Sequence, residues 1–124
     1  MRFYKFKKAL EKSWNQDTAY HKDAPNWTPD NPALGQCAIS ALLFNHFFGG
    51  KIYSGVSNSG VFHYWNRKWG IKIDLTKSQF SENLDFKNIS LWKPEDLLST
   101  GNVSERYSLL KSRFDENYSK LYNK

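Results

Sequence analysis

The thirteen residues from Gln36 to Phe48 constrain this chain more than any others. Ala38, Ile39, Ala41, Leu42, Leu43, Phe44, Phe47 and Phe48 leave no polar face wide enough to meet water, and Gly49-Gly50 ends the run. An apolar helix stopped by glycines that accept a left-handed cap must lie inside a domain with other elements wrapped around it. At 124 residues, 40% of them hydrophobic and 17% aromatic, the chain can build one such core and not two. A single domain over 1–124 is expected. The uninterrupted apolar run is far below the ~20 residues that span a bilayer, so no membrane partner is expected.

Wrapping elements can be read on both sides. Phe3, Phe6, Leu10 and Trp14 recur at helical spacing and predict an amphipathic N-terminal helix with a basic outer face. Ala24 to Pro32, "APNWTPDNP", holds three of the four prolines and reads as a stiff, extended connector. "KIYSGV", "VFHYWN" and "IKIDLT" suit three strands of an antiparallel meander. Tyr107, Leu110, Phe114, Tyr118 and Leu121 trace a C-terminal helix, opened by Asn102 and Glu105 in a capping-box pattern. Between them, "LWKPEDLL" suits a short helix with Pro94 in its first turn. The expected class is α+β, a central cysteine-bearing helix packed on a small antiparallel sheet of about three strands and flanked by terminal helices.

The chemistry centres on the one cysteine. Cys37 stands at the mouth of the central helix, where unpaired N–H groups and the positive end of the helix dipole favour a thiolate. The same N–H groups, with the Gln36 amide as a second donor, suit the oxyanion of a tetrahedral intermediate. A four-residue loop from Arg67 to Gly70 sets Asn66 opposite Ile71, which places His63 directly across from Asp74. Cys37 as nucleophile, His63 as proton carrier and Asp74 as orienting acid then make a triad. Each has a plainer use: a small buried hydrophobe for Cys37, a packed ring for His63, a turn cap for Asp74. His21 reads as a surface residue and His46 as a packing one.

Other chemistries fit poorly. Cys37 and His46 are nine residues apart and no close-spaced zinc ligand pair occurs, so no metal is expected. Gly49-Gly50 follows a helix and precedes a strand, the reverse of a phosphate loop, so no nucleotide cofactor is expected either. The net charge of +6 is spread without a long basic stripe, which argues against nucleic acid and weakly favours an acidic substrate. A lone cysteine forms no internal disulfide and "MRFYKFKKALEKSW" is too charged for a signal peptide, so a cytoplasmic location is expected.

Taken together, "NPALGQCAISALL", "FGG", "HYWN", "IDLTKSQF" and "ERYSLLKSRF" resemble the YunG-like family of small bacterial proteins over most of the chain. The specific parts fall on Gly35 to Ala38, His63 to Asn66, and Asp74 to Phe80. That resemblance implies a pared-down papain-like or transglutaminase-like core, in which a cysteine at a helix start faces a histidine and an acid or amide on adjacent strands. The order Cys37, His63, Asp74 matches; His46 stands where relatives would carry an acidic residue. Trp27, Asn31, Gln79 and Phe80 become candidates for the pocket wall. The leading expectation is a thiol-dependent hydrolase or acyl transferase acting on an amide or acyl bond of a small molecule or peptide. The alternative is a non-catalytic module that holds a peptide or protein in an aromatic groove around Trp27, Tyr64 and Trp65.

Overall fold

A computed structural model describes residues 1–123. Its elements run α1 (Phe3–Ser13), α2 (Cys37–Phe48), β1 (Lys51–Ser57), β2 (Phe62–Lys68), β3 (Ile71–Ile73), β4 (Phe86–Trp92), α3 (Pro94–Leu98) and α4 (Val103–Tyr122), with single 3-10 turns at Gln16–Thr18, Ala24–Asn26 and Lys77–Gln79. The class is α+β. All neighbouring strands are antiparallel, in the order β3-β2-β1-β4.

Helix α2 is the axis of the core. Every residue from Ala38 to Phe44 is buried, as a helix apolar on all sides requires. The helix packs against β2 and β1 of the sheet and against α4, with Ile52, Ile73, Leu110 and Phe114 in the same core. Helix α1 closes the layer through Phe6 and Leu10, with the Phe6 ring 5.4 Å from Phe114 and 5.2 Å from Phe48. Burying each of these side chains is worth roughly 1.5–3 kcal/mol. Gly49 and Gly50, at φ 74° and 82°, turn the chain from α2 into β1.

Four expectations need correction. The sheet has four strands and not about three: β4 pairs with the outer edge of β1, and a bulge with Asn88 at φ 55° interrupts its alternation. The proline-rich connector is a chain of tight turns, with Asn26 N–H donating to Asp23 O, Trp27 N–H to Ala24 O and Asn31 N–H to Thr28 O. His46 is exposed, its ring lying against Phe47. No capping box forms at α4, because the Asn102 side chain accepts from Arg106 Nε at 3.0 Å instead.

The β2–β3 hairpin is tighter than expected. Lys68 faces Ile71, so the turn is two residues, Trp69 at φ 55° and Gly70 at φ 73°. Positive φ at both central positions matches the twist of a two-residue hairpin. A tryptophan tolerates it here because its ring is held by Phe3, Phe44 and Phe48, at centroid distances of 6.3, 6.0 and 5.7 Å. Asn66 therefore pairs with Ile73, a register two residues from the expected one, and β3 ends before Asp74. A shift of two keeps every side chain on its own face. Asp74 stays on the side of His63 and approaches it from beyond the strand end.

Candidate active site

Cys37 is the first residue of α2, and two neighbouring features fix it there. Gly35, at φ 76°, leaves no room for a side chain: a Cβ would lie 2.8 Å from Tyr20 N and 3.0 Å from Asp23 Cβ. Gln36, at the N-cap, is fully buried; its Oε1 accepts from Thr18 Oγ1 at 2.8 Å, and its Nε2 donates to Asn15 O at 3.0 Å and Leu34 O at 3.4 Å. Both protons of that amide are used. The expected donation from the Gln36 side chain to an oxyanion is therefore not available in this geometry. The backbone offers donors instead. Ser40 N–H reaches Gln36 O at 3.0 Å, while the N–H groups of Cys37, Ala38 and Ile39 have no acceptor among the described residues.

His63 lies at the start of β2, opposite Gly55, whose missing side chain makes the space: a Cβ there would meet Phe86, Ile89 and Trp65 atoms within 2.9 Å. The imidazole has no exposed surface and is enclosed by Phe80, Phe86 and Trp65, at centroid distances of 5.0, 5.3 and 6.1 Å. Nε2 lies 2.9 Å from each carboxylate oxygen of Asp74. Strand alternation puts His63 with Trp65 on the face away from Asn66, whose amide bonds Ala41 O of α2 at 3.0 Å. β3 pairs with β2 only from Asn66 to Lys68, so the edge of β2 beside His63 is left uncovered, and the His63 ring is within side-chain contact of Cys37.

Burial of the ring is the largest influence on its pKa and would lower it. Hydrogen bonding from Asp74 and from Cys37, with the charges of the same two groups, outweighs burial and carries His63 up to about 9. Nε2 is held by Asp74, so Nδ1 is the atom left for the sulfur. Nδ1 is sealed from solvent and makes no well-formed hydrogen bond, so the sulfur contact is a loose one, as in many unliganded catalytic pairs.

Half-buried Cys37 opens on a cleft of about 550 Å³, walled by Leu34, Phe62, Tyr64, Phe80 and Trp92 and reaching Tyr20, Asp23 and Arg106. Gln79 also lines it, with its own amide turned back to Thr76 O and Oγ1 at 3.1 Å. Other expected wall residues lie elsewhere. Trp27 is tied to Pro32 O at 3.0 Å and Asn31 reaches Gln79 O at 3.5 Å, both outside the cleft lining. Trp65 is buried at 7% exposure beneath Lys72, so of the expected aromatic groove only Tyr64 faces the cleft. Burial pushes the Tyr64 phenol up to about 12, which keeps it a neutral hydroxyl.

Arg106 and Tyr20 were not expected in the cleft. Tyr20 carries no local motif, but Arg106 left a trace: the buried stripe of α4 is Val103, Arg106, Leu110, Phe114, and a charged residue stands in an apolar series.

The sequence profile described as YunG protein matches residues 2–119, nearly the whole chain. The chain belongs to the YunG family. Among its relatives is a Bacillus subtilis (strain 168) protein named "Uncharacterized protein YunG", 27% identical over 112 residues that cover 90% of each chain. No solved structure matches this YunG-family chain. No helix among its described residues is long and apolar enough to cross a membrane.

Proposed function

We propose that Cys37, His63 and Asp74 form a thiol centre that transfers an acyl group, as a hydrolase or an acyl transferase. The observation that carries this reading is the His63 ring, held by Asp74 on Nε2, with Nδ1 left unsatisfied and the half-buried cysteine of the helix start within side-chain contact of the ring. His63 takes the thiol proton and the sulfur attacks a carbonyl carbon, forming a C–S bond. Charge moves to the carbonyl oxygen, where the free N–H groups of Cys37 and Ala38 are the nearest donors. The intermediate collapses with loss of the amine or alcohol, which carries away the His63 proton. Water or a second nucleophile, deprotonated by His63, then releases the acyl group from sulfur. Asp74 holds the ring and stabilises its cation throughout. A papain-like or transglutaminase-like core, proposed here with the site, would assign the same three roles by analogy.

The second reading is a non-catalytic module that binds a ligand in the apolar cleft. In its favour, His63 has no exposed surface, so a leaving group could collect its proton only across Cys37. Alkylation by iodoacetamide at neutral pH separates the two. In an enzyme, folded protein is alkylated at Cys37, and His63→Ala slows the reaction by about 10²-fold or more. A Cys37 that reacts only after unfolding ends the enzyme reading and leaves the binding module.

A further inference from the structure

Arg106 is a buried guanidinium with three of its five N–H donors committed. Nε donates to Asn102 Oδ1 at 3.0 Å, and Nη1 donates to Thr18 O at 3.1 Å and Gly35 O at 3.4 Å. Nη2 has no acceptor among the described residues, and none of their ion pairs includes Arg106. The side chain is 6% exposed and lines the cleft. His63 Nδ1 is the described side-chain polar atom that is both sealed and unpartnered, so Nη2, which also lacks a partner, must keep its access through the cleft. Burial lowers the Arg106 pKa, offset by the charge of Cys37 and other cleft groups, but an arginine stays cationic at any ordinary pH. Asp23 acts on this cation only from beyond ion-pair distance and the Tyr20 ring lies 5.9 Å from it, so no carboxylate touches it, and a buried cation without a contacting counter-ion is costly. Bracing a few carbonyls is work that a neutral donor could do.

We propose that the cleft binds a monoanionic carboxylate ligand with an apolar body, its carboxylate on Nη2 of Arg106 and its body between Phe62, Tyr64, Phe80 and Trp92. A carboxylate fits better than a phosphate. Only one nitrogen of one guanidinium is free, and Asp23, raised by burial against the pull of Arg106 and His21, shares the lining. A dianion would meet too few donors and one more acid. Because the sulfur of Cys37 lines the same cleft, the inference deepens the acyl-transfer reading by naming its substrate class: acyl compounds that also carry a free carboxylate. Binding itself does not depend on a reactive thiol.

Two probes with the same apolar body decide it: 3-phenylpropionate and 3-phenylpropionamide, titrated into the full chain at neutral pH and low salt, with protein NMR following the cleft residues and the Arg106 Nε–H. The acid should bind at least about tenfold more tightly than the amide and move those resonances. Arg106→Gln should bring the two within about twofold, and Arg106→Lys should keep part of the preference as a point charge. Since Arg106 also braces Thr18 and Gly35, a variant that fails to fold leaves the comparison on the unchanged protein decisive. Equal affinities, no binding of the acid, or shifts away from the cleft overturn the proposal. Neither probe alkylates a thiol, so a preferred acid beside an inert Cys37 would keep the anion site and discard the enzyme.

Discussion

Two buried polar clusters flank the first turn of α2, and they are built on opposite plans. Around Gln36 every donor is paired: Thr18 Oγ1 with its Oε1, and its two amide protons with Asn15 O and Leu34 O. Around His63, Nε2 is bound by two carboxylate oxygens while Nδ1 is left without a formed partner. A saturated network contributes rigidity and a unique backbone path. A half-satisfied one holds a group in position for a partner that arrives later. The first cluster positions the cysteine, and the second is where the proposed chemistry would take place.

The largest effect that would sharpen this contrast is on the saturated side. Gln36→Met keeps the volume and removes all three side-chain hydrogen bonds of the amide, leaving Leu34 O without its donor and the Thr18 hydroxyl with Asn15 O as its remaining acceptor. We expect a loss of about 3 kcal/mol in denaturant unfolding. A loss under about 1 kcal/mol would mean that the cluster is not the rigid support described.

The half-satisfied side should instead depend on pH. With its pKa raised from 6.5 to about 9, His63 binds its proton more tightly in the folded chain. Its contribution, about 3 kcal/mol for the whole shift, is fully present below pH 6.5 and is lost as the pH rises through about 9. Asp74→Asn removes the carboxylate charge, so it should cost about 2 kcal/mol near pH 6 and little above pH 9.5. Unfolding curves at the two pH values check it. Equal costs at both would show that Asp74 merely fills space.

Much of this arrangement was legible in the residues, and the misses share a cause. Period and punctuation marked α1, α2, α4 and the first three strands, because each buries one continuous face. β4 was missed because it is an edge strand with almost no buried residue, and a bulge with Asn88 at φ 55° puts two polar residues, Lys87 and Asn88, side by side and breaks its period of two. The hairpin register was off by two because the turn depends on a tryptophan at positive φ, which is set by Phe3, Phe44 and Phe48 and by nothing local. Parity alone kept His63 and Asp74 together. Gln36 was read as a donor because its neighbourhood to Cys37 was visible and its partners Thr18 and Asn15 were not. The wall residues Trp27 and Asn31 were placed by adjacency to a stiff connector, which turns away from the cleft.

Arg106 combines both plans in one side chain, and the smallest prediction tests how it is held. A capping box at α4 would make Asn102 and Glu105 mutually dependent, each costing about 1 kcal/mol when changed to alanine. In the structure the Asn102 side chain is not a cap; it accepts from Arg106 Nε, and Glu105 has no part in that bond. Asn102→Ala should therefore cost about 1 kcal/mol through Arg106 alone, with Glu105→Ala within about 0.5 kcal/mol of the unchanged protein. The double variant with Arg106→Gln supplies the finer measure: once the guanidinium is gone, Asn102 has nothing to hold and its replacement should add almost nothing. Equal single costs for Asn102 and Glu105, or additivity of Asn102 with Arg106, would return Asn102 to the role of a helix cap and leave Nε without its anchor.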